Sequence, residues 1–184
     1  MRKILINIFC LFFTFSFFGQ ENDFQTWHSL SIKKEINKNT DLNLRVGLRF
    51  RENSSLFSKK FIDMRISNEL HKKISIAAGY RYISSMNEEF EQLDLHRFYF
   101  DLNYKNKFNK RWLYSIRNRW QYQFQVYGNE QTFRQRFSLK YNIRKTKITP
   151  YCSVEYFSNT FGQINKLRST FAFSYPILKY FDFD

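Results

Sequence analysis

From residue 24 onward the chain alternates. Residues 41–51 read DLNLRVGLRFR, so Leu42, Leu44, Val46, Leu48 and Phe50 fall on one side of an extended chain. Asn43, Arg45, Gly47, Arg49 and Arg51 fall on the other. Side chains of a β-strand point alternately to opposite faces, whereas a helix would scatter this pattern round its circumference. The same period recurs down the chain. Ile62, Met64 and Ile66 oppose Asp63, Arg65 and Glu69; Ile74, Ile76, Ala78, Tyr80 and Tyr82 oppose Arg81; His96, Phe98, Phe100, Leu102 and Tyr104 oppose Arg97 and Asp101. Further on, Trp112, Tyr114, Ile116, Trp120, Tyr122 and Phe124 oppose Ser115, Arg117, Arg119 and Gln121, and Phe133, Phe137, Leu139, Tyr141 and Ile143 oppose Arg134, Arg136 and Lys140. Ile148, Cys152, Val154 and Tyr156 oppose Ser153 and Glu155, and Leu167, Phe171, Phe173 and Tyr175 oppose Arg168 and Thr170.

With a first strand over residues 24–36 and a last one from Leu178, this makes about ten strands, eight being the smaller count the pattern allows. No segment keeps a helical period, and no linker divides the 184 residues, so a single all-β domain is expected. The 23 Phe and 12 Tyr agree with β structure and exclude a disordered tail; only 5 Gly and 2 Cys exclude collagen and a disulfide scaffold.

The N-terminus carries an address. Met1-Arg2-Lys3 precedes the apolar run ILINIFCLFFTFSFF at residues 4–18, which ends at Gly19-Gln20-Glu21. A basic start, a short apolar run and a small residue before polar ones fit a cleaved secretory signal peptide over residues 1–20, with a retained anchor as the alternative. The run is shorter than the roughly 20 residues of a membrane-spanning helix. Residues 21–184 then form the exported domain. Losing Arg2 and Lys3 takes the formal charge from +14 to +12, and losing Cys10 leaves Cys152 alone. No internal disulfide, metal-ligand spacing, phosphate loop or cofactor motif remains.

Period two does not say which face is inside. A lipocalin-like barrel puts apolar residues inward, and an outer-membrane barrel reverses this. The apolar face is large and aromatic, with aromatics at both ends of the 112–124 strand around Ile116, as an interfacial girdle requires. Short turns at 37–40, 71–73, 105–110 and 144–147 alternate with longer connections at 52–60, 84–92 and 158–166, the layout of a membrane barrel. Asn68, Asn118 and Gln135 on the apolar face stand against lipid. The loop lengths also start the first strand on the extracellular side, opposite to the bacterial norm. The expectation is an antiparallel transmembrane β-barrel in a bacterial outer membrane, inserted by the barrel-assembly machinery, with its apolar face to lipid.

The polar face would then line the lumen. Its cations are Arg45, Arg49, Arg51, Arg65, Arg81, Arg97, Arg117, Arg119, Arg134, Arg136, Lys140 and Arg168, against Asp63, Glu69, Asp101 and Glu155. A barrel of this size is narrow, and side chains fill it. A hydrogen-bonded plug is the plain reading, and a basic constriction that attracts small anionic solutes is the sharper one.

The segments GLRFREN (47–53), AGYRYI (78–83), HRFYFDL (96–102), IRNRWQYQF (116–124), FRQRFSLKY (133–141) and VEYF (154–157), after Trp27, resemble the outer-membrane barrels grouped as domain of unknown function 2490. The resemblance covers about residues 24 to 180. It implies an outer-membrane barrel and brings no activity, cofactor or catalytic residue. Such barrels finish a whole strand on a terminal aromatic, whereas this sequence stops at Phe181-Asp182-Phe183-Asp184 in what the pattern reads as mid-strand, as a truncated copy would.

Two other functions compete with a structural or minor solute-passage role. An outer-leaflet lipid hydrolase would use His96, with Ser84, Ser85, Glu88 and Glu89 near it in sequence. The His-x-Ser of a lipid A deacylase is absent, and Tyr156-Phe157-Ser158-Asn159 is the nearest stretch; His28 and His71 have no supporting context. A secreted lipocalin-like barrel would instead hold an apolar ligand in its core. Nucleic-acid binding is not expected, because the basic residues are spaced one per strand repeat rather than clustered.

Overall fold

A computed structural model describes residues 24–87, 91–124, 128–159, 162–178 and 181–183; the apolar leader and Glu88 and Glu89 lie outside them. The strands are β1 (Thr26–Asn37), β2 (Thr40–Arg51), β3 (Leu56–His71), β4 (Ile74–Met86), β5 (Gln92–Lys107), β6 (Trp112–Phe124), β7 (Glu130–Tyr141), β8 (Thr149–Asn159), β9 (Ile164–Leu178) and the three-residue β10 (Phe181–Phe183). Each pairs antiparallel with its neighbours in sequence, so nine long strands form one meander with β10 folded back on β9.

The sheet curls strongly about its polar face. Arg168 on β9 lies 5.5 Å from the Trp27 ring on β1, eight strands away in the order of the sheet. Two glycines make room for aromatic rings on that face. Gly79 on β4 faces Tyr99 across the ladder, and a Cβ there would run into the Tyr99 ring. The ring thus lies flat over β4, and its hydroxyl reaches Asp63 on β3 at 2.8 Å. Gly47 on β2 makes the same room for the Phe61 ring of β3.

Burial is inverted relative to a soluble sheet. Asp101 is 0% exposed and Glu155 4%, while Trp120 is 52% and Phe171 85% exposed. The charged side chains fill the concave face, and the convex face carries the large apolar ones, Ile62, Met64, Ile66, Phe98, Phe100 and Leu102 among them. Monomeric soluble proteins rarely expose so continuous an apolar surface.

Two expectations require correction. The sheet is an open half-barrel rather than a closed barrel: among the described residues no backbone pairing joins β1 to β9 or β10. Alternation assigns faces, but closure depends on strand number and shear, about which a period of two is silent. The connections are also short at both rims. The ends that join β2 to β3, β4 to β5, β6 to β7 and β8 to β9 form the near rim, and those that join β1 to β2, β3 to β4, β5 to β6 and β7 to β8 form the far rim. Residues 56–60 belong to β3 and residues 84–86 to β4. A bulge between Arg49 and Phe50 and the polar run Ser58-Lys59-Lys60 hide the alternation over residues 56–60. With four or five residues per connection at the near rim and two to seven at the far rim, loop length does not orient the chain.

Candidate functional site

The ladder sets cations directly opposite one another on the concave face: Arg49 faces Lys59, Arg81 faces Arg97, Arg117 faces Arg136 and Arg119 faces Arg134. Like charges so placed destabilise a sheet. Three buried carboxylates offset most of this. Asp101 accepts two hydrogen bonds from Arg119, from Nε at 2.6 Å and Nη2 at 2.8 Å, and lies 3.4 Å from Arg65. Glu155 accepts from Arg117 at 2.6 Å and Arg134 at 2.9 Å, with Arg168 at 4.0 Å. Asp63 accepts from Arg81 and from the Tyr99 hydroxyl. Charge-assisted contacts are the strong ones, the Arg119–Asp101 pair being bidentate, and together they tie β3 through β9 into one layer.

Aromatic rings complete the layer. Arg119 stacks 3.8 Å from the Tyr99 centroid, Arg49 4.0 Å from Trp27, Arg134 4.5 Å from Phe157 and Arg81 4.6 Å from Phe61. A cation over a ring contributes roughly 0.5–2 kcal/mol. The sequence reading left these rings out, although its own period puts Tyr99 between Arg97 and Asp101, and Phe157 two residues after Glu155.

The remaining lumen candidates are spread more widely. Arg97 donates to the Gln123 side chain. Arg45 and Lys140 are exposed, Lys140 lying 5.5 Å from the Tyr151 ring. Glu69 pairs with Lys105 at 2.7 Å near the far rim, away from the central network. Arg136 stands in register with Glu155, yet its Nε has no acceptor, because Glu155 is taken up by Arg117, Arg134 and Arg168.

The convex face answers the objection from its polar residues. Asn118 and Gln135 are opposite one another and hydrogen-bond at 2.9 Å; Asn68 is opposite Thr40 and donates to its hydroxyl at 2.8 Å. Each of the three side chains thus makes a hydrogen bond within the face. Aromatics gather towards both rims: Tyr80, Tyr82, His96, Phe98 and Phe124 towards the near one, Tyr104, Tyr114, Trp112 and Tyr141 towards the far one.

His96 belongs to the near-rim cluster. Its Nδ1 lies 2.7 Å from the Tyr80 hydroxyl, and its ring packs 6.1 Å from Tyr80 and 5.5 Å from Tyr82, whose hydroxyl is given to Asp94 at 2.9 Å. His28 sits edge-on to Phe50, and His71 accepts the Lys73 amide in a turn. Among the described residues no three His, Cys, Asp or Glu side chains gather into a metal-binding group.

A family model described as a protein of unknown function, DUF2490, matches residues 24–184. No curated protein and no solved structure matches the chain. The matched span holds every strand of the curled sheet and every member of the Arg–carboxylate layer, and the chain therefore belongs to the DUF2490 family.

Proposed function

We propose that this chain is an outer-membrane β-barrel protein whose convex face meets lipid and whose Arg–carboxylate layer packs the interior. Its role is structural, with at most minor passage of small anionic solutes, and it carries no catalytic apparatus. The observation that carries the reading is the inverted burial: the apolar side chains are outside, and the ion pairs are inside. The spacing of the aromatics supports it. Tyr114 to Tyr122 on β6 is eight residues, about 27 Å along a strand and about 20 Å once tilted by about 40°. An outward apolar band is about 25 Å tall between its girdles. Hydrocarbon tolerates no unpaired sheet edge, so the reading requires β1 to be hydrogen-bonded along its outer edge in the bilayer. The approach of the Arg168 side chain on β9 to the Trp27 ring on β1 supports this requirement.

The test is a gel of the carbonate-washed membrane fraction in mild detergent, boiled against unboiled. Retention in the pellet and a boiling-dependent mobility shift are expected. A soluble protein without a shift would turn the convex face into a surface for an apolar ligand or partner and overturn the proposal.

A further inference from the structure

Charge is balanced in the middle of the concave face and unbalanced at the near rim. Arg119 and Arg134, opposite one another, each hold a carboxylate, as does Arg81. Arg49 and Lys59, also opposite one another, hold none, and Arg97, opposite Arg81, holds only Gln123. Among the described residues no carboxylate oxygen lies within ion-pair distance of these three cations. Of the described acids at the same rim, Glu52 is 3.8 Å from Arg51, Glu91 accepts from the Asn87 amide at 3.2 Å, and Glu130 accepts from the Thr132 hydroxyl at 3.1 Å while acting on Arg97 from beyond ion-pair distance.

Between them is a cavity of about 140 Å³, lined by Arg49, Lys59, Arg81 and Arg97 over a floor that includes Phe61 and Ile83. At about 30 Å³ per water it has room for four or five, or for one tetrahedral oxyanion with part of its hydration. Arg49, Lys59 and Arg97 are half-buried and crowded together with no ion-pair partner among the described residues, which is costly, and an anion that entered would offset that cost while meeting guanidinium forks built for oxyanions. The apolar floor excludes competing water from one side and strengthens the attraction.

We infer that this near-rim cavity is a binding site for a small, doubly charged oxyanion, phosphate or a phosphomonoester, held by Arg49, Lys59 and Arg97. The inference deepens the proposed passage of small anions and rests on the concave face being an interior; it does not depend on whether the convex face meets lipid.

The experiment uses the full chain in detergent micelles, with inorganic phosphate as the probe and chloride at matched ionic strength as the control. Acylation of lysines by a soluble active ester is followed by mass spectrometry. Saturating phosphate is expected to slow modification of Lys59 at least fivefold and to leave Lys60, the next residue and on the other face, unchanged. By calorimetry, Arg49→Gln with Arg97→Gln raises the Kd for phosphate at least tenfold, while Arg144→Gln in an exposed turn leaves it within twofold. Equal protection of both lysines, no protection, or unchanged affinity in the double variant would each overturn the site. So would protection by phosphatidic acid in the micelle with none by free phosphate, which would assign the cations to a headgroup. Because the labelling needs no variant, a misfolded double variant does not decide the matter, and membrane fractionation remains a separate readout.

Discussion

Asp101 is the keystone of the concave layer, and its removal has a calculable cost. Its side chain is fully buried, the Arg119 side chain is 7% exposed, and two hydrogen bonds join them. Breaking a buried ion pair by deleting one partner costs about 3–5 kcal/mol, because the other charge stays buried and uncompensated. Asp101→Asn keeps the shape and one acceptor oxygen, which places it at the lower end, about 3 kcal/mol. With a denaturant slope of about 2 kcal/mol/M, the unfolding midpoint in urea falls by about 1.5 M. The folded fraction is read in micelles as the fast-migrating unboiled band. Replacing both partners, Asp101→Leu with Arg119→Met, removes the stranded charge and is expected to recover all but about 1 kcal/mol. Arg65, 3.4 Å from Asp101 and 33% exposed, retains access to water in either variant. A midpoint shift under 0.3 M for Asp101→Asn, or a double variant no better than the single ones combined, would refute the view that this pair holds the layer together.

Three further outcomes are expected. Gly79→Ala drives a methyl group into the Tyr99 ring and displaces its hydroxyl from Asp63; destabilisation of about 1–3 kcal/mol by the same urea assay checks it, and a neutral result would mean that the ring does not need that glycine. Asn118→Leu alone strands Gln135 and costs about 1 kcal/mol, whereas Asn118→Leu with Gln135→Leu is neutral or stabilising in micelles; a double variant worse than the single one would place this pair away from an apolar medium. His96→Ala leaves the acyl pattern of the outer-leaflet lipid unchanged by mass spectrometry, since His96 is held by Tyr80 and Tyr82; loss of a deacylated species would make it catalytic.

The faces were legible in the sequence because a period of two is a direct image of backbone geometry. Asp63, Asp101, Arg119 and Glu155 all lie where the alternation put them. Partners were not legible, because they depend on register: Arg119 stands opposite both Asp101 and Arg134, and only the ladder on either side of β6 reveals this. The start of β3 was misread where a bulge follows Arg49 and where Ser58, Lys59 and Lys60 interrupt the apolar positions, so residues 56–60 read as a loop. Tyr99 and Phe61 were not read as part of the layer because an aromatic among charges reads as an exception, until Gly79 and Gly47 are seen to make room for their rings.

The central claim is that the convex face meets lipid. A variant with Trp27→Phe and Trp112→Phe leaves Trp120, half exposed on that face between Tyr114 and Tyr122, as the sole tryptophan. In reconstituted vesicles, lipids brominated on their acyl chains are expected to quench most of its fluorescence, with blue-shifted emission and little effect of aqueous acrylamide. Efficient quenching by acrylamide and none by the brominated chains would contradict the account and put water, or another protein, against the convex face.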